Sequence, residues 1–369
     1  MLVMKKNITD ECAKDLSISS YKWAYRVRLD HPVKTYLEEI PRENTVVFVD
    51  ENVLFAHNWL KPVLERHDTV VLAATESLKS FNGVEEIIRS LFSRKINKNT
   101  CLYVVGGGVL QDAIGFTASI FFRGLNWCFV PTTLLAQADS CIGSKTSLNF
   151  DSGKNQLGTF HPPIDICIDP IFLKSLPEEH YRSGLGEIFH YLLVSGEKDF
   201  EFGATSLDGV LHDRSKTSSM IERSLMIKKE MIEVDEFDGG PRRVFNYGHS
   251  FGHAIEAATG FSIPHGIAVS IGMDVANMLS VHKGLVAPTF RNRVRRALIK
   301  IWGENTLAPS MVGRFVDALS RDKKNEQGEV KVILTKGFGE MFLTSLDIDS
   351  STQTLLNDYF EDRLQWRDI

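Results

Sequence analysis

The chain has 369 residues, 43% of them hydrophobic and 24% charged, with a formal net charge of −5. At about 100–200 residues per domain, this length predicts two domains around two cores. A mildly acidic chain with no basic run interleaved with aromatics excludes nucleic acid as the expected partner, and no stretch reaches the about 20 apolar residues that span a bilayer.

Residues up to about Asp30 show no clear period, apart from an alternating stretch over 21–29 that predicts a strand. TVVFVD at 45–50 is a short apolar run closed by an acid. It reads as a buried strand whose C-terminal end carries Asp50, and in a parallel sheet such ends face the ligand crevice. DTVVLAA at 68–74 predicts a second strand, and TESLK, with Glu76 and Lys79, a polar turn that opens a helix. CLYVV at 101–105 is a third strand, running directly into GGGVLQD and the helical AIGFTASIFFRG. Strands alternating with helices predict a Rossmann-like α/β domain around a doubly wound parallel sheet.

Glycines after a strand let backbone N–H groups approach a pyrophosphate, and the following helix N-terminus adds partial positive charge. The pattern here is GGGxxxD, not GxGxxG. On the glycines alone, a dinucleotide site and a plain tight turn are equal readings. Asp112, an acid one turn into an apolar helix, calls for a ribose hydroxyl or a cation. WCFVP at 127–131 is a further strand, followed by Thr132, Thr133 and a short helix that ends in Asp139. Lys145, Lys154 and Asn155 then fall close together in a Gly/Ser-rich region. Clustered donors of this kind suit a phosphorylated substrate, and both lysines are expected in crevice-side loops.

Beyond about residue 170 the pattern is helical: 178–195, 215–234, 242–259, 267–283, 287–302 and a C-terminal amphipathic stretch, with a strand-like KVILTK at 331–336. The expected division is an α/β domain over 1–170 and a mainly α-helical domain over 171–369. Glu187 and His190 share the first of these helices, in an apolar segment. An unpaired buried carboxylate is costly, so Glu187 should be paired or bind metal. RRVFNYGHSFGHAIEAATGFSIPHG at 242–266 sets His249 and His253 four apart, on one helix face. Glu256 follows three later, and His265 lies beyond a turn-like FSIP. Two histidines and a carboxylate form a common catalytic zinc set. One HxxxH is more often a helix with ordinary surface histidines. The third histidine shifts the balance to metal, without saying which helical histidine is the ligand.

The five cysteines, Cys12, Cys101, Cys128, Cys141 and Cys167, form no CxxC pair. That argues against a disulfide framework and a thiolate zinc site, and fits a reducing compartment. The N-terminus MLVMKKNITDE lacks the apolar core of a signal peptide, so the expectation is a soluble cytoplasmic protein.

Taken together, these motifs resemble those of the 3-dehydroquinate synthase-like sugar phosphate cyclases. The similarity runs over residues 50–324, with GGGVLQD, FRG, VPTTLLAQADS, SKT, GKN, SLPEEHYRSGLGEI, KKEMIEVDE, NYGHSFGHAIE, PHG and DKK in family order. It implies an NAD-binding N-terminal domain, a helical metal-binding C-terminal domain, an active site in the cleft between them, and a homodimer. It places Zn2+ or Co2+ on Glu187, His249 and His265, with His253 lining the phosphate pocket. It maps NAD+ contacts to Asp50, Glu76, Lys79, Gly107, Gly108, Val109, Asp112, Thr132, Thr133 and Leu135. Asp139, Lys145, Lys154, Phe172 and Ser175 continue that surface. Substrate and catalytic roles fall on Asp139, Lys145, Asn155, Glu187, His190, Lys228, Arg242, Asn246, His253 and Lys323. Arg123, in FFRG, matches an arginine lent to the neighbouring subunit's phosphate site. The implied reaction oxidises a sugar hydroxyl, eliminates phosphate, returns the hydride and closes a carbocycle.

Three departures from the family pattern bear on the substrate. His190 stands where dehydroquinate synthases carry a lysine. Ser144 replaces a glycine of GGKT. The loop GGPRRVFN reads one residue short, so the family arginine falls on Arg242 or Arg243. Lys228 with Arg242 suits the carboxylate of 3-deoxy-arabino-heptulosonate 7-phosphate, because two cations in one place call for an anion. That substrate is the leading expectation. Sedoheptulose 7-phosphate and glucose 6-phosphate, cyclised by relatives, have no carboxylate. A net alcohol dehydrogenase of the iron-dependent type and a non-catalytic NAD-binding homologue are the readings from other classes.

Overall fold

The computed structural model describes residues 15–151, 153–321 and 330–361. Its N-terminal half is built on seven strands: β1 Asp15–Ile18, β2 Tyr25–Arg28, β3 Thr45–Asp50, β4 Asp68–Leu72, β5 Cys101–Gly106, β6 Asn126–Pro131 and, after a hairpin of β7 Lys145–Phe150 and β8 Gly153–Phe160, β9 Asp165–Cys167. The sheet order is β1-β2-β9-β6-β5-β3-β4. Only the β1–β2 pair is antiparallel. The helices of this half are α1 Val33–Glu38, α2 Glu51–Ala56, α3 Lys61–Leu64, α4 Phe81–Ser93 and α5 Gly108–Ile120.

A parallel sheet covered on both faces needs apolar residues at every position rather than at alternate ones. β3 meets this: Val47 and Val49 pack into a cluster with Val33, Leu37 and Leu60, while Val46 and Phe48 join the larger core on the other face. The expected doubly wound sheet is therefore present, and the turns at Asp50, Gly106 and Pro131 leave it at one end.

The C-terminal half contains α6 Glu178–Ser195, α7 Glu197–His212, α8 Ser218–Val234, α9 His249–Ala258, α10 His265–His282, α11 Pro288–Trp302, α12 Val312–Ser320 and α13 Ser350–Glu361. A second hairpin, β10 Val330–Thr335 with β11 Met341–Leu346, packs beside α10. Helices α6, α9 and α10 approach at their backbones. A Cβ on Gly186 would lie 2.0 Å from the carbonyl oxygen of Gly266, and one on Gly266 would lie 1.8 Å from that of Ser183. Glycine is the residue that allows this crossing, and it sets Glu187 against the start of α10.

Several elements differ from expectation. The polar turn at Glu76 is a single 3-10 turn, Glu76–Leu78, and α4 starts only at Phe81, capped by the Ser80 hydroxyl. Lys145, Lys154 and Asn155 lie in the β7–β8 hairpin, not in loops. The helix expected over 242–259 is a 3-10 turn, Pro241–Asn246, and then α9 from His249. Gly248 divides them at φ 79°, and a side chain there would strike Met273 Cγ at 2.6 Å. Four described cysteines are free, and no described helix is long and apolar enough to cross a membrane.

Candidate active site

Three helices meet at the metal-type cluster. Glu187 comes from the middle of α6, His249 opens α9 and His265 opens α10. One ligand atom from each lies within 4.8 Å of the others. His249 Nε2 is 3.7 Å from Glu187 Oε2, and His265 Nε2 is 3.3 Å from Glu187 Oε1. Glu187 is buried; burial raises its pKa, and the His265 contact only partly offsets this. His265 is bracketed by acids, because its Nδ1 lies 3.0 Å from Glu256 Oε2. Burial alone would lower the His265 pKa, but the two carboxylates push it up to about 10. Two imidazoles and one buried carboxylate are a donor set for a divalent ion with positions left for substrate oxygens. Between the two histidines one helix turn apart, Glu187 selects His249; the His253 ring stacks on His265, 5.5 Å between centroids.

The glycine turn belongs to the N-terminal half. Gly106 ends β5, Gly107 caps α5 and Gly108 begins it, followed by Val109. A Cβ on Gly108 would meet nothing within 4 Å, so the helix N-terminus is open to a ligand. Asp50 lies beside it, its Cβ 3.6 Å from where a Gly106 side chain would be. Thr132 donates its backbone N–H to the Gly106 carbonyl at 3.0 Å, and the Thr133 hydroxyl accepts from Ala136 N just past Leu135. This fits a pyrophosphate at a helix N-terminus. Asp112 has the cation it called for: Lys79 Nζ lies 2.7 Å away, and Ser147 donates twice more. Lys79 also donates to Asn155, and Asn149 to Glu76, tying this wall to the β7–β8 hairpin. Phe172 is buried against Trp59 and His57, and Ser175 Oγ is 2.7 Å from His57 Nε2.

The structure answers the two cations differently from the sequence expectation. Lys228 is buried, and its ammonium bonds both the carboxylate and the carbonyl of Asp139. Arg242 is also buried and donates to the Glu236 carbonyl at 2.6 Å. Lys228 is thus answered by an anion within the protein, whereas a neutral carbonyl supplies no counter-charge to Arg242, so the expectation of two cations calling for a substrate anion is left with one. Of the two arginines in the short loop, Arg242 is inside and Arg243 is exposed. His190 is fully buried among rings, 4.9 Å from His249 and 4.9 Å from Tyr191 between centroids. Asn246 ends the 3-10 turn and donates to the Arg243 carbonyl.

Lys145 pairs with Asp238 at 2.9 Å, and Lys154 stands over the Phe261 ring at 3.9 Å. Both contacts join the N-terminal half to the helical half. Arg123 is exposed in the turn after α5, at φ 66°. Lys323 lies outside the described residues. Sequence reasoning missed Tyr191 and Asp238. Tyr191 carried a signal, since it lies four residues after Glu187 on the same helix. Its hydroxyl donates to Asp139 at 2.5 Å. Asp238 carried none; its place depends on the Tyr21, Phe160 and Phe237 rings that pin its loop to β8.

An open dinucleotide-type turn in one half and a His/His/Glu cluster in the other are the architecture of a dehydroquinate synthase-like enzyme. The 3-dehydroquinate synthase N-terminal family matches residues 69–183, and the 3-dehydroquinate synthase C-terminal family residues 184–325. A 3-dehydroquinate synthase of Acidithiobacillus ferrooxidans is 38% identical over 291 residues, covering 78% of this chain and 80% of its own. One from Campylobacter curvus is 34% identical over 330 residues, covering 88% and 93%. The chain belongs to the 3-dehydroquinate synthase family. In fold it is similar to a 2-deoxy-scyllo-inosose synthase complexed with carbaglucose-6-phosphate, NAD+ and Co2+ (TM-score 0.80, 22% identity, 95% and 100% coverage). It is also similar to 2-epi-5-epi-valiolone synthase from Streptomyces hygroscopicus with NAD+ and Zn2+ bound (TM-score 0.78, 27% identity, 92% and 97% coverage).

Proposed function

We propose that this protein is an NAD+- and divalent-metal-dependent sugar phosphate cyclase, a phosphate-eliminating lyase that works as a cytoplasmic homodimer. The substrate we assign is 3-deoxy-arabino-heptulosonate 7-phosphate and the product 3-dehydroquinate. The observation that carries this is the Glu187, His249 and His265 cluster, together with the open Gly107–Gly108 turn, in a chain 38% identical to a 3-dehydroquinate synthase.

When bound, NAD+ supplies a reversible hydride acceptor and the ion a Lewis acid for the hydroxyl and carbonyl of the sugar. Glu187, His249 and His265 hold the ion, and the α5 N-terminus with Asp50 and Thr133 holds the dinucleotide. Lys145, Asn155 and His253 grip the phosphate through charge-assisted hydrogen bonds. Asp139, half-buried against Lys228 and Tyr191, stays ionised and orients the substrate hydroxyls. The departing phosphate can carry off the proton, so no strong protein base is required. Holding a flexible sugar in one reactive arrangement supplies much of the rate.

One observation favours a second reading. Lys228 is answered by Asp139, and His190 fills the lysine position with an imidazole among aromatic rings. A wall of that kind suits a substrate ending in a hydroxymethyl, such as sedoheptulose 7-phosphate. The deciding experiment is phosphate release from the three sugar phosphates with NAD+ and Zn2+ or Co2+, with product identification and a chelator control. The proposal expects 3-dehydroquinate, no net NADH, and loss of turnover with chelator. Turnover of sedoheptulose 7-phosphate alone selects the second reading; stoichiometric NADH rejects both.

A further inference from the structure

We propose that Glu256 is the positioning residue of the metal centre: it holds Nδ1 of His265 and so turns Nε2, with Glu187 and His249, towards the ion. The inference rests on the metal-dependent reading above.

Glu256 lies seven residues after His249, on the same face of α9, and is buried. Its Oε2 is 3.0 Å from His265 Nδ1, while Glu187 Oε1 is 3.3 Å from Nε2 of the same ring. The imidazole thus lies between two acids on two helices, one at each nitrogen. An imidazole nitrogen ligates through a lone pair, so the other nitrogen must carry the proton. A buried carboxylate that accepts a hydrogen bond from Nδ1–H fixes the proton there and leaves the Nε2 lone pair for metal. The opposite assignment would make His253, Glu256 and His265 a ligand set of their own, since their ligand atoms also lie within 4.8 Å of one another. Two features argue against it. His265 Nδ1 is committed to the hydrogen bond. The other oxygen of Glu256 has the Lys154 ammonium 4.0 Å away, and a cation there opposes a second ion. Lys154 comes from β8, so the acid that orients a C-terminal ligand is itself braced by the nucleotide-binding half.

The test uses the full chain and reads metal, not turnover. Zn2+ affinity is measured by competition with a chromophoric chelator, Co2+ geometry by its visible absorption, and folding by thermal melting. Wild type is expected to bind one ion per chain. Glu256→Ala is expected to weaken Zn2+ binding by about 10–100-fold and to change the Co2+ band. Glu256→Gln, whose amide oxygen still accepts from Nδ1–H, is expected to recover most of that loss. Wild-type affinity and an unchanged Co2+ band in E256A overturn the proposal. So do two ions per wild-type chain with one lost in E256A, which would make Glu256 a ligand. Should E256A fail to fold, Glu256→Asp keeps the charge but shortens the reach; wild-type affinity in E256D then overturns it. A folded wild type that binds no ion rejects the functional reading itself, a result distinct from all of these.

Discussion

The Lys228 ammonium touches Asp139 twice, 2.7 Å from carboxylate Oδ1 and 2.7 Å from the backbone carbonyl oxygen. Lys228 lies on α8 and Asp139 in the turn after β6, so the pair joins the two halves. Removing one partner of a buried pair leaves an unanswered charge and costs about 3–5 kcal/mol. Lys228→Met and Asp139→Asn are each expected to lower the unfolding free energy by about that amount. The double variant should lose less than the sum. Denaturant melts of the four proteins check this; additivity within about 0.5 kcal/mol would dismiss the coupling.

The same pair predicts a reversal with pH. Burial raises the Asp139 pKa, but Lys228 and Tyr191 outweigh it and hold the carboxyl below the usual carboxylate range. Its contribution to stability is therefore present above the unfolded value of about 3.9 and is lost as pH falls through the lower folded value. In Lys228→Met, burial dominates and the folded value rises above the unfolded one. The contribution is then present below about 3.9 and lost as pH rises through the raised value. Unfolding free energy between pH ~4 and ~6 should fall with pH in the variant relative to wild type. Parallel curves would count against the pairing.

Lys145 is expected to act through substrate phosphate. Its loss removes one charge-assisted hydrogen bond, about 1.5–3 kcal/mol. Lys145→Met should raise KM for the sugar phosphate by about 10–100-fold with the melting temperature little changed. Steady-state kinetics in a phosphate-release assay read this directly, and an unaltered KM would move Lys145 out of the phosphate pocket.

The α6–α10 crossing gives a steric prediction. In Gly186→Ala the new Cβ would lie 2.0 Å from the Gly266 carbonyl oxygen, so the helices must part. Overpacking of this kind costs about 1–3 kcal/mol. It also draws Glu187 away from His265, and Zn2+ affinity should fall about tenfold or more by the loss of one well-placed ligand's support. Gly209→Ala on α7, where a Cβ meets nothing within 4 Å, is the control and should leave metal binding intact.

The interior strands were legible because β3, β5 and β6 are apolar runs bounded by turn residues. β2 falls inside the alternating stretch 21–29 and the edge strand β4 inside 68–74, whereas the other edge, β1, has four residues and no clear period. β7 and β8 read as loops because they are rich in Ser, Asn and Gly, and β8 is mostly surface. β11 pairs only with β10, so nothing local marked it. In the site, histidine spacing identified the metal-type cluster but could not separate His249 from His253, which share a helix face. Only Glu187, from a helix far away in sequence, does that. The reading of Lys228 as a cation awaiting substrate failed for a related reason. Its partner Asp139 lies 89 residues earlier, in a turn whose shape no periodicity announces.

That turn, Ala136–Ser140, is π-helical. A π-turn fits one more residue into a revolution than an α-turn does. Shortening residues 136–138 by one would relax the segment to α-helix and leave Asp139 within about 30° of its present direction, because three α-helical steps of about 100° nearly match four narrower π-helical ones. The π-turn thus absorbs one residue of chain length without re-aiming the acid. Length in this segment can vary by one residue with Asp139 still directed at Lys228 and Tyr191.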